Sequence, residues 1–421
     1  MDKTEGATTG GSRTPALAII VALVVGGGLG IALTHASAGV RNDALAVAGP
    51  IGTLWLDALQ MTIVPLVAGL LFTGVLRTSR AAQAGPVARH TLTLFAIVLL
   101  VSALAGALLT PLLLDVLPIP GGARSALGGG AATSLGTIPS AADFIVSLIP
   151  ANVFAALGQS AMLPVMVFTL LFALAALRLP RAQRDLFEAL FDGLSQAMLT
   201  IIGWVLAVAP LGVFAIGLRM GASEGAGLIG LLAHYIVIVS LIGGVVLACA
   251  YLLPVVVLRR NAAAFARAVL PAQAMGLSTQ SSLATLPAML DSARRLNLRE
   301  STADFVLPMA VSVFKATSPA MNLAVTAYVA RWSGITLGPA EIAAGVVVAY
   351  LVSFGAPGLP GTISYVASIA PIALAMGVPL APLAVLVAVE VLPDLMRTLG
   401  NVTMNVAIAE TVDGLRKDET A

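Results

Sequence analysis

Ser278-Thr279-Gln280-Ser281-Ser282 interrupts the apolar stretch Ala268–Leu290, and both flanks of that stretch are rich in arginine. Arg259, Arg260 and Arg267 precede it; Arg294, Arg295 and Arg299 follow it. Basic residues mark cytoplasmic loops in membrane proteins, so an apolar segment with arginines at both ends enters and leaves on the same side. That describes a re-entrant hairpin with a hydroxyl-rich tip. A second stretch, Ile342–Gly377, is too long for one span and is broken by Gly355-Ala356-Pro357-Gly358-Leu359-Pro360-Gly361. Non-helical backbone at membrane depth survives only where protein or a water-filled cavity satisfies its polar groups. Two such hairpins, entering from opposite sides, are the pattern of inverted repeats around a midplane site. Two kinked ordinary helices are the blander alternative.

Composition places the whole chain in a bilayer. Hydrophobic residues make up 59% of it and charged residues 10%, against about 25% charged in an average soluble domain. Spanning helices need about 20 mostly apolar residues. Leu17–Leu33, Ile51–Leu76, Leu92–Leu114, Met198–Leu218, Leu228–Leu258, Phe305–Ala330 and Leu380–Val406 meet or approach that length. The expectation is an all-α polytopic membrane protein, a bundle of roughly eight helices plus shorter membrane pieces. The first apolar segment ends near Ala36-Ser37-Ala38 and is longer than a signal core, which reads as a retained first helix.

Arginine distribution orients the bundle. Arg77, Arg80 and Arg89, then Arg178, Arg181 and Arg184, then the two groups around the first hairpin, and finally Arg416 and Lys417 mark one side. Arg41, Arg124, Arg219 and Arg331 mark the other. The alternation puts both termini in the cytoplasm of a cell (inner or plasma) membrane protein.

Several functions are disfavoured. No basic tract or aromatic-rich patch supports nucleic-acid binding. A single cysteine, Cys249, and three scattered histidines form no disulfide and no metal-ligand pattern. No HExxH, Cys/His pairing or Gly-x-Ser-x-Gly elbow suggests an enzyme, and no cofactor is expected.

Ionisable residues deep in apolar segments are functional candidates because each costs several kcal/mol there. Lys315, Arg397, Glu390 and Asp394 qualify. Glu390, Asp394, Arg397, Asn401 and Asn405 are spaced 4, 3, 4 and 4 apart, which places them on one helical face. Arg397 offers a planar fork for a carboxylate, and Asp394 an acceptor for an ammonium group. A ligand site and an internal Asp394–Arg397 pair both fit this spacing. Lys315 sits in Phe314-Lys315-Ala316-Thr317-Ser318-Pro319, beside hydroxyls and a helix-breaking proline.

These residues resemble the dicarboxylate/amino acid:cation symporter family, the glutamate transporter homologues, over nearly the whole chain. The matching stretches are Gly49-Pro50-Ile51 through Met61-Thr62-Ile63-Val64-Pro65-Leu66-Val67, Leu148-Ile149-Pro150-Ala151-Asn152, and Ala209-Pro210-Leu211-Gly212-Val213-Phe214. Ser281-Ser282-Leu283-Ala284-Thr285-Leu286-Pro287 resembles the first hairpin tip and Gly355-Ala356-Pro357-Gly358 the second. Asp394-Leu395-Met396-Arg397-Thr398-Leu399-Gly400-Asn401-Val402 follows the last-helix signature.

The resemblance implies eight transmembrane helices plus two re-entrant helical hairpins, inverted repeats and an elevator-type fold in a homotrimer. By the same resemblance residues 14–76 (helices 1–2) and 140–220 (helices 4–5) are scaffold, the latter trimerising. Residues 87–115 (helix 3) and 226–412 form the transport domain. Arg397 would hold the substrate side-chain carboxylate and Asp394 its amino group. Thr398 and Asn401 would assist. Ser281, Ser282, Ser318 and Gly358 would complete the site for an acidic amino acid, glutamate or aspartate.

Three departures change the expected coupling. The family's sodium-binding Asn-Met-Asp-Gly-Thr run aligns with Phe314-Lys315-Ala316-Thr317-Ser318, its last-helix sodium aspartate aligns with Asn405, and Phe95-Ala96-Ile97-Val98-Leu99 lacks hydroxyl ligands. A hard cation needs several oxygens, with carboxylates to balance its charge. Lys315 is therefore expected to replace bound sodium, making transport sodium-independent. A proton exchanged at Lys315 or Glu390 would make a symporter; a fixed charge there would make a facilitator or exchanger. The alternatives are a sodium-coupled carrier of C4-dicarboxylates or neutral amino acids, and a substrate-gated channel or receptor on the same fold.

Overall fold

The computed structural model describes residues 13–83, 85–120, 146, 148–225, 227–353 and 361–419, and every regular element among them is a helix. The first half runs α1 (Arg13–Leu33), α2 (Ala38–Ala82), α3 (Pro86–Val116), α4 (Val153–Gly158), α5 (Met162–Ala176), α6 (Arg181–Ala207), α7 (Ala209–Glu224) and α8 (Gly227–Leu258). The second half runs α9 (Ala262–Thr279), α10 (Leu286–Arg295), α11 (Glu300–Val313), α12 (Ser318–Trp332), α13 (Pro339–Ser353), α14 (Gly361–Ala375), α15 (Ala381–Leu386) and α16 (Val391–Glu419).

Among the described residues, α2, α3, α6 and α8 are long and apolar enough to cross a membrane. Their surfaces are inverted relative to a soluble protein. On α3, Ile97, Leu100, Val101, Leu104, Leu108 and Leu112 are exposed along one face, whereas Ser102 and Thr110 are buried. Apolar side chains gain nothing by leaving lipid, so close packing and internal hydrogen bonds hold such helices together. Glycines supply the closeness between α1 and α7. A Cβ on Gly30 would meet the Ala222 nitrogen at 2.7 Å and Gly221 Cα at 2.9 Å.

Three stretches expected as continuous spans are interrupted. Met198–Leu218 divides at Val208, with Pro210 starting the next helix. Phe305–Ala330 divides between α11 and α12: Phe314 is extended (φ −128°, ψ 125°), and Pro319 lies in the first turn of α12. Proline has no N–H to give the preceding turn, so the ladder stops there. Leu380–Val406 divides at residues 387–390, with Pro393 opening α16. Glu390 thus lies in the turn before α16, where the Asp394 N–H donates to its carbonyl at 2.8 Å. The stripe on the helix proper begins at Asp394.

Helices α9 and α10 pack on each other across the serine-rich turn, and both pack on α16. Gln280 takes the left-handed conformation at the α9 C-terminus (φ 51°, ψ 29°), its N–H returning to the Gly276 carbonyl at 2.8 Å. Helices α13 and α14 likewise pack side by side; the second tip, with Gly358, lies outside the described residues. Helix α1 packs chiefly on α7, and α2 on α5, α6 and α7, whereas α3, α8 and α9–α13 gather around α12 and α16. Helix α14 touches both groups.

Candidate functional site

The site forms where the α11–α12 break meets the start of α16. An interrupted helix exposes backbone groups that lipid cannot satisfy, and here side chains from two other helices satisfy them. The Thr317 N–H and hydroxyl both donate to Asn401 Oδ1 at 3.0 Å. Ser102, from α3, donates its hydroxyl to the Ala316 carbonyl at 2.5 Å and accepts from the Ala320 N–H at 3.3 Å. Phe95 stacks on Phe314 with ring centroids 4.2 Å apart. The break is thus a built feature, held from α3 on one side and α16 on the other.

Lys315 emerges from this break, half-buried, and reaches the first hairpin tip. Its Nζ donates to Ser282 Oγ at 2.8 Å and to the Val311 carbonyl at 3.2 Å. The latter is a carbonyl freed by the end of α11. Snorkelling to the surface is therefore not its arrangement; its stem carries the charge inward.

Arg397 is buried and every edge of its guanidinium is engaged. Nη2 donates to Glu390 Oε1 at 2.6 Å, Nη1 donates to Asn322 Oδ1 at 2.7 Å, and Nε lies 3.3 Å from Asp394 Oδ1. Glu390 is buried too, and its other oxygen accepts from the Tyr235 hydroxyl at 2.5 Å. The internal Asp394–Arg397 pair read from the spacing exists, yet the shorter contact is to Glu390. Buried Arg397 and Glu390 and half-buried Lys315 and Asp394 together bring two positive and two negative formal charges into one place.

The other expected site residues take different places. Thr398 is buried against the hairpin: a Cβ on Gly276 would lie 3.5 Å from its Cγ2. Asn401 is committed to holding the break. Ser318 opens α12, with its N–H on the Lys315 carbonyl at 3.0 Å. Ser281 Oγ accepts from the Ala284 N–H at 3.3 Å and so shapes the tip. Asn405 is fully buried, its Nδ2 near Met289 Sδ at 3.9 Å and its Oδ1 without a partner among the described residues.

Four residues of the cluster escaped the sequence reading: Ser102, Tyr235, Asn322 and Tyr365. All are neutral and lie in apolar helices, where a single hydroxyl or amide carries no charge signal. Asn322 and Tyr365 are buried, Tyr365 lies against Tyr235, and Asn322 Nδ2 has no partner among the described residues. The Asn322 orientation is fixed by chemistry, since only its oxygen can accept from Arg397.

A carboxylate-matched guanidinium, the Lys315 ammonium and an Asn322 Nδ2 with no partner among the described residues, all inside an apolar bundle, fit an anionic small molecule. Residues 16–415 match the model of the sodium:dicarboxylate symporter family. The chain belongs to this family. Similar proteins include the proton/glutamate-aspartate symporter of Escherichia coli K12, 26% identical over 407 residues that cover 92% of this chain and 89% of the relative. The proton/sodium-glutamate symport protein of Bacillus subtilis 168 is 26% identical over 370 residues, covering 86% and 84%. The C4-dicarboxylate transport protein of Solibacter usitatus Ellin6076 is 24% identical over 398 residues, covering 92% and 89%. Sodium:dicarboxylate symporters are transporters, not enzymes, and they reside in membranes. For such a symporter the chemical question is which group balances the substrate charge. Among the described residues no three His, Cys, Asp or Glu side chains gather as metal ligands.

Proposed function

We propose that this symporter carries an acidic amino acid, glutamate or aspartate, without sodium, with the Lys315 ammonium as a tethered cation in place of the ion. The observation that carries the reading is the position of Lys315. It stands in the run that aligns with the family's sodium-binding segment, and its ammonium enters the cluster holding Arg397 and Asp394. The Asn405 surroundings point the same way: one amide oxygen beside a thioether is a poor shell for a hard cation, which takes six or more oxygens when it is calcium-like. The glutamate-aspartate and glutamate symporters among the similar proteins agree with the substrate class.

In this reading Arg397 takes the side-chain carboxylate and Asp394 the ammonium group. Thr398 and Asn401 line the site. Ser281, Ser282 and Ser318 serve the main-chain carboxylate, and Gly358 is a further substrate-binding residue. The helices group as eight transmembrane segments and two hairpins: α1, α2, α3, α4–α5, α6–α7, α8, α11–α12 and α15–α16, with α9–α10 and α13–α14 as hairpins. The packing of α1 on α7 and of α2 on α5–α7 supports a scaffold over 14–76 and 140–220, which trimerises. The gathering of α3 and α8–α13 around α12 and α16 supports a transport domain over 87–115 and 226–412. That domain moves as an elevator, with both termini cytoplasmic.

Calorimetric titration of L-glutamate and L-aspartate tests the reading. Affinity equal in choline and in sodium is the expected result; a steep rise on replacing choline by sodium overturns it. A second reading, C4-dicarboxylate transport, is favoured by the two cations Lys315 and Arg397, each able to take one carboxylate, and by the C4-dicarboxylate relative. Succinate or malate binding more tightly than both amino acids would select it.

A further inference from the structure

We propose that Glu390 is a built-in occupant of Arg397, that substrate displaces it, and that the displaced Glu390 takes up a proton, so that amino acid and proton cross together without net charge. This rests on the acidic amino acid reading above and adds the identity of the coupling group.

The argument starts from how completely Arg397 is engaged. A guanidinium binds a carboxylate best through two parallel N–H bonds, and its Nη2 is taken by Glu390 at 2.6 Å, its Nη1 by Asn322 at 2.7 Å. A substrate carboxylate gains the fork only by taking Nη2 from Glu390. The surroundings are prepared for both events. Asn322 Nδ2, beside Nη1, is a buried donor with no partner among the described residues, so an incoming carboxylate meets a spare donor as well as the guanidinium. On the far side, the Tyr235 hydroxyl already holds Glu390 at 2.5 Å, and the buried Tyr365 hydroxyl lies beside Tyr235 within its hydrogen-bonding reach. Glu390 can therefore leave Arg397 without leaving all hydrogen bonds.

Its charge cannot be left so easily. A carboxylate buried away from its cation costs several kcal/mol, and a bound proton removes that cost. Formal charges give the same answer. The empty site holds Lys315 and Arg397 against Glu390 and Asp394 and sums to zero. An acidic amino acid brings an ammonium group and two carboxylates, a net negative charge. A proton added to a Glu390 oxygen from the aqueous phase restores zero, and its release on the other side returns the empty site to zero. Both forms then cross the bilayer without the cost of a net buried charge.

The groups facing Glu390 are accounted for on every element around it. Helix α8 contributes Tyr235, and α14 contributes Tyr365. Helix α12 contributes neutral Asn322 and Tyr328, whose hydroxyl donates to the Leu231 carbonyl at 2.9 Å and meets His234 Nδ1 at 3.2 Å. Helix α16 contributes Asp394 and Arg397, and the α11–α12 break contributes Lys315. Asp394 is the competing acceptor, but it keeps Lys315 and Arg397 as neighbours and remains to meet the substrate ammonium.

The test is a titration of purified protein with L-aspartate in sodium-free choline buffer, run in two buffers of equal pH and different ionisation enthalpy. The expected result is uptake of about one proton per substrate bound in the wild type and none in Glu390→Gln, by proton linkage. In wild-type proteoliposomes, an inward proton gradient should drive accumulation, and a valinomycin-set potassium potential alone should not. Binding without proton uptake, or accumulation driven by potential alone, overturns the proposal. Proton uptake that persists in Glu390→Gln moves the role to another group. If that variant does not fold, substrate-induced infrared difference spectra test the assignment: a new carboxylic acid carbonyl band should appear and should shift in Tyr235→Phe. An unshifted band overturns Glu390 as its source. No binding of either L-aspartate or L-glutamate would instead remove the substrate reading on which the proposal rests.

Discussion

The last helix, α16, has buried carboxylates at both ends, and the two ends treat them differently. Near its C-terminus, Glu410 and Asp413 are each about 1% exposed, but their arginines stand at the water's edge, Arg260 at 44% and Arg299 at 33%. Asp413 also accepts from Thr302 Oγ1 at 3.0 Å and the Arg299 N–H at 3.3 Å, tying α16 to the start of α11. At the N-terminal end the arginine is buried with its acids: Arg397 is 11% exposed, Glu390 7% and Asp394 18%. A second cation, Lys315, and an Asn322 Nδ2 that has no partner among the described residues lie beside it. Burying both partners of an ion pair is costly and yields little net stability. A seam that only needs to hold helices can leave its cation half in water. An end that buries both, and adds a spare donor, suits an exchange of partners.

That contrast is broken or sharpened first at Arg397. Arg397→Ala should lower substrate affinity at least a hundredfold, within the roughly 2–5 kcal/mol lost when one partner of a buried charge pair is removed. Calorimetry reads the affinity, and thermal unfolding in detergent should show lost stability as well, because Glu390 keeps its charge without its cation. Retained affinity with lost stability would make Arg397 a seam residue like Arg299. Lys315→Met comes next. Hydrogen bonds to charged groups contribute about 1.5–3 kcal/mol, so affinity should fall roughly tenfold to a hundredfold, and equally in choline and sodium. A variant that regains affinity only in sodium would show that an ion can reoccupy the position and that Lys315 is not needed to balance charge.

What the sequence made legible at these two ends follows from the same physics. Lys315, Glu390, Asp394 and Arg397 stand out because any ionisable residue in an apolar run is costly, and their positions alone pointed to where the charges gather. The serine-rich tip was legible because its arginine flanks share a sign. The interruption at 314–317 showed only through the helix-breaking Pro319, and the one at 387–390 did not show. Their prolines, Pro319 and Pro393, sit in the first turn of the following helix, where proline is also well tolerated. Tyr235, Asn322, Tyr365 and Ser102 were missed because a neutral polar residue in a membrane helix matters only through the face it presents, and that depends on tertiary packing. The Glu390–Arg397 contact, 7 residues apart, is also closer than the expected Asp394–Arg397 pair, since Glu390 lies in a turn rather than on the helix.

Asn401 lies on the boundary between holding and binding. Its amide oxygen carries the Thr317 N–H and hydroxyl, so Asn401→Ala should leave the break with a buried unsatisfied donor. The cost is about 1–3 kcal/mol, read as a lower unfolding temperature, with substrate affinity falling because Lys315 and Ser318 flank the same break. An unchanged unfolding temperature would mean that another group takes over the break and that Asn401 serves substrate alone.

The smallest effect belongs to the other end. Arg260 Nε lies 3.1 Å from Glu410 Oε1, with the arginine half in water. Exposed pairs contribute at most about 1 kcal/mol because solvent screens them and the long side chain loses entropy when held. Glu410 is buried, which raises the cost of losing a partner; Arg260 is not, so water reaches the gap it leaves. Arg260→Ala should therefore lower stability by about 1 kcal/mol and leave amino acid affinity where it was. The second half of that outcome decides the matter. If calorimetry shows affinity falling with Arg260→Ala as it does with Lys315→Met, the two ends of α16 are coupled through the helix. Seam and site would then be one network rather than two uses of the same residue types.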